Sequence, residues 1–292
     1  MKFGKVNILY EIERAYPEWN YMQEIRLRIG QNVHIRYKNQ DIEVPKQVSQ
    51  RDIREVMEFV SNYSMHAYEN ELRQGFITIE GGHRVGIAGQ VLMDKGNVKN
   101  MKHISSINIR VSHEIKHCAD KIIPYIVQNN RIFHTLIISP PKGGKTTLLR
   151  DLIRQISNKN ANVGVVDERS ELAGCYQGIP QNDVGVRTDV LDACPKKEGM
   201  LMLIRSMSPD VIAVDEIGGM EEVETVKYAM HCGVKMLATV HGESMEEIRK
   251  KPLFEQLVKE HCFERYVVLK TGKQAGEIAG IFDERGNVLF RC

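Results

Sequence analysis

The chain has 292 residues, 42% of them apolar and 27% charged, with 40 basic side chains against 38 acidic ones and a formal net charge of +2. Such a length suits one large domain or two ordinary ones, and the composition excludes a disordered or fibrous chain. The balanced charge gives no bulk argument for nucleic acid or for an anionic membrane surface.

At the start of the chain, MKFGKVNILYEIERAY carries charge throughout and lacks the apolar centre of a secretory signal. The longest apolar runs, at 135–138, 200–204 and 211–214, are far shorter than the roughly 20 residues that cross a bilayer. A soluble, cytoplasmic protein is expected. Cysteines 118, 175, 194, 232, 262 and 292 form no C-x-x-C pair and read as free thiols. His113, His117 and Cys118 lie close enough to share a helix face. No fourth ligand accompanies them, so the histidines are read as surface side chains rather than a metal set.

Residues 24–37 (EIRLRIGQNVHIRY) alternate around Gly30, which predicts two strands and a turn. Ile53, Val56, Met57 and Val60 form a helical stripe over 51–64. Residues 76–79 and 84–91 flank Glu80-Gly81-Gly82-His83 as a hairpin. A further strand is expected at 104–111 and a helix at 122–127. The first 130 residues therefore read as a smaller α+β domain with an antiparallel sheet.

From residue 132 short apolar runs alternate with helical patterns. The runs at 135–139, 163–166, 211–214 and 236–240 read as strands, with helices to about 157 and over 221–230. This alternation predicts a mostly parallel sheet with helices on both faces, in a domain over 131–292. The tail, 266–269, 277–282 and 288–290, reads as an antiparallel meander turning at Asp283-Glu284-Arg285-Gly286.

Between the first of these strands and its helix stands SPPKGGKTT, Ser139 to Thr147. It follows the phosphate-loop pattern G-x-x-x-x-G-K-[ST] with Ser139 in place of the first glycine. Phosphates need inward N–H groups, a helix N-terminus and a cation. Lys142, Gly143, Gly144, Lys145, Thr146 and Thr147 are the expected nucleotide contacts. Lys145 is placed on the β- and γ-phosphates and the Thr146 hydroxyl on Mg²⁺. A glycine turn with a surface lysine is the plain alternative. Serine is small enough for the turn while its φ stays negative, so a small effect on affinity is expected from it.

Two carboxylates end the strand VIAVDE: Asp215 is expected to serve Mg²⁺, commonly through water, and Glu216 to activate a water. VVDERSE (165–171) and ATVHG (238–242) would bring Glu168, Arg169, Glu171 and His241 to the same sheet edge if all these strands run parallel. A surface ion pair for Glu168 and Arg169, and a loop cap for His241, are the plain readings. No N-K-x-D string is present, since 158–161 read NKNA, which favours ATP over GTP. Arg187, Arg205 and Arg84 are candidates for an arginine supplied in trans, with Arg26, Arg28 and Arg110 also in the first half.

These four elements, in this order, resemble the secretion ATPase superfamily, the motors of type II and type IV secretion and pilus systems. SPPKGGKTT corresponds to its phosphate loop, VVDERSE to its Asp box, VIAVDE to its Walker B strand and ATVHG to its His box. The strings LRDLIRQIS, GVVDERSELAGCYQGIPQNDVGVRTDVLDACPK and LIRSMSPDVIAVDEIG, with EIRLRIG and QGFITIEGGHRVGIAG upstream, resemble the members found in endospore-forming bacteria over nearly the whole chain. The resemblance implies a RecA-like P-loop ATPase domain behind a smaller α+β N-terminal domain, with ATP and Mg²⁺ as cofactors. It implies a homo-hexamer with sites near subunit interfaces. It also implies service to the channel between mother cell and forespore, at the cytoplasmic face of the membrane on the mother-cell side, with membrane-bound sporulation proteins as partners. In the pilus motors the last Glu of the Asp box can be the general base; by position this is Glu171, which competes with Glu216. Asp215 stands where many members have Gly, which also leaves direct service of Asp215 to Mg²⁺ open and makes Glu216 a more ordinary base than in the motors. The expected function is Mg²⁺-dependent ATP hydrolysis with Lys145, His241 and one of the two glutamates. The alternatives are a nucleic-acid-handling RecA-like ATPase, disfavoured by 7% aromatics and balanced charge, and a nucleotide-binding scaffold without turnover, disfavoured by Glu216.

Overall fold

Alternation of apolar and polar side chains builds the first sheet, and short fully apolar strands build the second. A computed structural model describes residues 6–64, 68–270 and 276–291, so Cys292 lies outside the described residues. The chain divides into two units. One runs to His113 and takes in Gly174–Gln181; the other comprises Glu114–Ala173 and the chain from Asn182 onward.

The first unit holds α1 (Asn7–Ala15), β1 (Met22–Arg28), β2 (Asn32–Tyr37), β3 (Gln40–Gln47), α2 (Gln50–Val60), α3 (Glu69–Gln74), β4 (Phe76–Ile79), β5 (His83–Asp94) and β6 (Asn97–Arg110). Its sheet has the order β3-β2-β1-β6-β5-β4, with every pair antiparallel. Ile25, Leu27, Ile35, Val85, Ile107 and Ile109 bury one face against Ile8 and Leu9 of α1 and Ile53 and Val56 of α2. Ser49 and Asp52 close α2 with a reciprocal capping box. β3 is an edge strand, which is where Pro45 is tolerated. The strand expected at 84–91 runs further, to Asp94, and the chain returns to β6 through Lys95 and Gly96, both at positive φ (47° and 83°). Residues 91–100 are exposed or half-buried, so no apolar period marked that extension.

The second unit opens with α4 (Ile123–Ile126), β7 (Val127–Gln128) and β8 (Arg131–Ile132). It continues with β9 (Thr135–Ser139), α5 (Lys145–Ser157), β10 (Val163–Asp167), β11 (Thr188–Asp192), α6 (Lys196–Ser206), β12 (Val211–Val214), α7 (Met220–His231) and β13 (Lys235–His241). It ends with α8 (Met245–Lys250), α9 (Pro252–Lys259), β14 (Arg265–Leu269), β15 (Ile278–Asp283) and β16 (Val288–Arg291). The division falls at 113/114, ahead of the expected 130. Residues 114–132 belong with the second unit because the Ala119 N–H donates to Asp151 on α5 (2.9 Å) and Arg265 donates to the Tyr125 carbonyl (2.9 Å).

The second sheet has the order β11-β10-β12-β13-β9-β14-β15-β16. The first six strands are parallel, and β15 and β16 add the antiparallel meander. Ile138, Val166, Val214 and Val240 face a core shared with Met200 and Leu203 of α6 and Val223 and Val226 of α7. Strand alternation turns Ile137, Val165, Ala213 and Leu237 to the opposite face, where α5 lies. Burial on both faces explains why these strands read as continuous apolar runs. Register pairs Val166 with Val214, Val214 with Ala238 and Val240 with Ile138. The polar groups that follow each strand therefore emerge at one carboxyl edge, where open α/β sheets bind ligands.

Candidate nucleotide-binding site

The loop leaves β9 at Ser139, which is fully buried and donates its hydroxyl to the Pro140 carbonyl at 2.9 Å. Its φ is not positive; Lys142 (62°) and Gly144 (87°) take the left-handed turns instead. The Gly143 N–H donates to the Pro140 carbonyl at 3.1 Å. A Cβ added at Gly143 would lie 2.4 Å from Ser139 Oγ, closer than atoms can approach. With Ser139 in the first position, a side chain at position 143 would require the serine hydroxyl to move. From Lys145 the chain enters α5, whose first-turn N–H groups point into the loop.

Register brings the acids to this loop. Thr146 Oγ1 donates to Asp215 Oδ2 at 2.6 Å, and Thr239 donates to the other oxygen. The same Thr239 hydroxyl accepts the Glu216 N–H at 2.8 Å, so one buried side chain on β13 orients both carboxylate residues. Glu216 sits at φ 56°, a sparsely populated conformation for a side chain of this kind, and Thr239 helps to hold it there.

Three basic groups converge on the Glu216 carboxylate. Oε2 lies 3.5 Å from Lys145 Nζ and 3.4 Å from Arg169 Nη1, and Oε1 lies 3.1 Å from His241 Nε2. Burial pushes the Glu216 pKa up, but Lys145, His241 and Arg169 together outweigh it and hold the carboxyl below its ordinary value. At neutral pH it is a carboxylate, the form a proton acceptor needs. His241 Nδ1 is buried without a hydrogen-bond partner among the described residues, and its carbonyl accepts from Lys251 at 2.6 Å.

The Asp-box loop is held by its own first residue. Buried Asp167 accepts the N–H groups of Glu171 (2.8 Å), Leu172 (3.0 Å) and Ala173 (2.8 Å). Buried Arg150 of α5 donates to the carbonyls of Leu172 (2.7 Å) and Glu171 (2.6 Å). Glu171 itself is exposed, and it is Glu216 whose carboxylate meets Lys145. Glu168 and Arg169 do not form the mutual ion pair of the plain reading. Glu168 takes buried Lys196 (2.6 Å), which also reaches Glu222 (3.2 Å), and Arg169 takes Glu216.

Arg187 lies where β11 begins, its carbonyl accepting the Val163 N–H at 2.9 Å, at the amino edge of the parallel strands. Arg205 lies in the last turn of α6, which runs back toward that edge. Arg84 lies on β5 of the first unit, its guanidinium 3.7 Å above the Phe76 ring centroid. His113 Nε2 lies 2.6 Å from the Met22 carbonyl, and burial pushes the Cys118 thiol up to about 12. Among the described residues no three His, Cys, Asp or Glu side chains group to hold a metal. Sequence reasoning gave no role to Thr239 or Lys196, and set Arg169 either at the sheet edge with the other polar groups or in a surface pair with Glu168. The one signal for Thr239 was a hydroxyl inside an otherwise apolar buried run.

The ATPase DotB of Legionella pneumophila superposes with a TM-score of 0.61 at 15% identity, covering 97% of this chain and 82% of that one. The pilus retraction motor PilT with bound ADP gives 0.62 at 16% identity, over 88% of this chain and 76% of that one. The fold is therefore the RecA-like P-loop fold of the secretion ATPases. Stage III sporulation protein AA of Bacillus subtilis (strain 168) is 44% identical over 290 residues, which are 98% of this chain and 94% of that protein. The family described as Sporulation stage III, protein AA, matches residues 5–289, and the chain belongs to it.

Proposed function

We propose that the chain is an Mg²⁺-dependent ATP hydrolase whose turnover drives a conformational cycle in a homo-oligomeric ring. The observation that carries this reading is the meeting of Lys145 and Glu216 at 3.5 Å beside the Thr146–Asp215 pair at 2.6 Å. A phosphate cation, a metal pair and a carboxylate base stand together at the end of one helix. Lys142, Gly143, Gly144 and Thr147 complete the cradle, with Lys145 on the β- and γ-phosphates. Thr146 and Asp215 present hard oxygen donors side by side, which fits Mg²⁺; Thr146 would hold it directly and Asp215 through water. The ion would neutralise charge on the phosphates when bound. Glu216 takes the proton of the attacking water, the water oxygen bonds to the γ-phosphorus, and the bond to the β-phosphate oxygen breaks to release ADP. His241 steadies the Glu216 carboxylate from its other side. Glu171 remains the rival base.

Family membership supports a role in endospore formation; action at the mother cell–forespore channel, membrane-bound sporulation proteins as partners and a hexameric assembly are proposed with it. No helix among the described residues is long and apolar enough to cross a membrane, so attachment to the cytoplasmic face is proposed to be peripheral.

Steady-state ATP turnover with Mg²⁺, with chelator, and with the membrane partners added tests the reading. Lys145→Ala is expected to lose nucleotide binding and turnover, and wild-type turnover in that variant overturns the site. Glu216→Gln is expected to keep nucleotide binding while turnover falls by about 10²–10⁴-fold, the scale of a lost general base. Should Glu171→Gln behave this way and Glu216→Gln not, the base is Glu171. Nucleotide binding that depends on Lys145, with no turnover even alongside partners, indicates a scaffold.

A further inference from the structure

An arginine of the same chain shares its carboxylate partner with the phosphate-loop lysine. Arg169 Nη1 and Lys145 Nζ lie 3.4 and 3.5 Å from one and the same atom, Glu216 Oε2. Two cations that touch a single anionic oxygen can touch a single phosphoryl group, whose oxygens are spread over a slightly larger volume. We propose that Arg169 binds the γ-phosphoryl group of a nucleoside triphosphate in cis, beside Lys145. This deepens the hydrolase reading and rests on it.

Three further observations support the assignment. The first is the rigidity of the loop on either side of Arg169. Asp167 gathers three successive N–H groups, Arg150 takes two carbonyls, and Ser170, at φ 51°, donates its hydroxyl to Asp192 at 2.6 Å. A side chain mounted on so fixed a loop reaches its target with little ordering left to do. The second is the arrangement of charge around it. The adjoining carboxylate, Glu168, is engaged by buried Lys196 at 2.6 Å, so Arg169 is left to the phosphate-loop side. Arg169 keeps 61% of its side chain accessible, which a group that must meet an incoming ligand requires. The third is the position of the two arginines of this unit considered for a role in trans. Arg187 immediately precedes β11 and Arg205 lies in the last turn of α6, away from the carboxyl edge that carries Lys145.

A guanidinium suits this task. Its planar fork can bond two phosphoryl oxygens at once, and it gathers charge as the γ-group separates from ADP. No bond forms or breaks at Arg169; it distinguishes a triphosphate from a diphosphate and stabilises the charge on the transferred group.

The test compares wild type, Arg169→Ala and Arg169→Lys, each first confirmed as folded by far-UV circular dichroism. Equilibrium binding of Mg–ADP and of a non-hydrolysable ATP analogue is measured alongside turnover. Arg169→Ala is expected to bind ADP within about twofold of wild type, to lose at least tenfold in affinity for the analogue, and to lose about 10³-fold in turnover, the low end for such arginines. Arg169→Lys should recover part of the analogue affinity and little of the turnover. Equal losses for ADP and analogue, or unchanged analogue binding, overturn the proposal. So does recovered turnover on mixing Arg169→Ala with Lys145→Ala subunits, because recovery requires the arginine to act across an interface. A wild-type protein that binds nucleotide without turnover refutes the hydrolase reading, while the contrast between analogue and ADP still decides the role of Arg169.

Discussion

Ser139 and Gly143 are sterically coupled. With the Ser139 hydroxyl turned to the Pro140 carbonyl, the space a Cβ would need at position 143 is filled by Oγ at 2.4 Å. Gly143 is not at positive φ, so the cost of a side chain there is steric alone. Gly143→Ala is expected to destabilise the chain by about 1–3 kcal/mol through overpacking and to weaken nucleotide binding. Ser139→Gly alone should change nucleotide affinity little, because Ser139 supplies neither the lysine nor the metal contact. The double variant removes the closest clash and leaves the Pro140 carbonyl at 3.2 Å as the nearest obstacle. It is therefore expected to be more stable than Gly143→Ala alone, a non-additivity read from urea unfolding of the four proteins. Additive losses would show that the loop yields elsewhere.

Among the elements, α5 carries most of the local organisation, since it begins at the phosphate loop and ends in the core. Its Asp151 is almost fully buried and accepts the Ala119 N–H (2.9 Å), Arg154 (2.6 Å) and Gln155 (3.1 Å). Burial raises its pKa, but the Ala119 N–H, Arg154 and Gln155 outweigh that and leave it below the ordinary carboxyl value. The folded pKa is the lower one. The stabilisation is therefore complete above the unfolded-state pKa of about 3.9 and is lost as pH falls through the folded value. Asp151→Asn should cost about 1.5–3 kcal/mol at pH 7, and the gap from wild type should narrow toward pH 3 in urea unfolding. A gap independent of pH would show that shape, not charge, ties residue 119 to the helix. The legibility of the elements followed burial. β9, β10, β12 and β13 were readable because both their faces are covered, so each is an unbroken apolar run flanked by loops. β11 was not, because Thr188–Asp192 is a partly exposed edge strand, Thr-Asp-Val-Leu-Asp, with neither an apolar run nor an alternation, and the exposed end of the β5–β6 ribbon has no period at all. The same distinction holds in the site. Lys145, Asp215, Glu216 and His241 stand next to motifs with local spacing. The part played by Thr239 depends on register, the pairing of Val214 with Ala238 that sets its hydroxyl beside Asp215, and no local string encodes that. Arg169 likewise acquires its partner only through the sheet order that places β10 next to β12.

At the scale of the whole molecule, each unit buries its own hydrophobic core, and the chain passes between the units at 113/114, 173/174 and 181/182. The segment Gly174–Gln181 is held within the first unit, where the Gly81 N–H donates to Gln181 at 2.9 Å. Its base is closed within the second unit, where Asn182 donates to the Leu172 and Ala173 carbonyls, each at 3.0 Å. Loss of the first unit would free the segment while leaving that base, the Asp167 cap and the phosphate loop in place. Two unfolding transitions are therefore expected, as is common for chains with separate cores. The single tryptophan, Trp19, packs against the first core and reports that unit alone, while far-UV circular dichroism reports both. Mg–ADP at 100 times its dissociation constant should stabilise the unit that binds it by about 2.7 kcal/mol. If Lys145, Thr146 and Asp215 form the site, the nucleotide should move the dichroism transition of the second unit and leave the Trp19 fluorescence midpoint where it was. Lys145→Ala should abolish that shift. Midpoints that move together would show that the units unfold as one, and that the energy of nucleotide binding reaches the first unit directly.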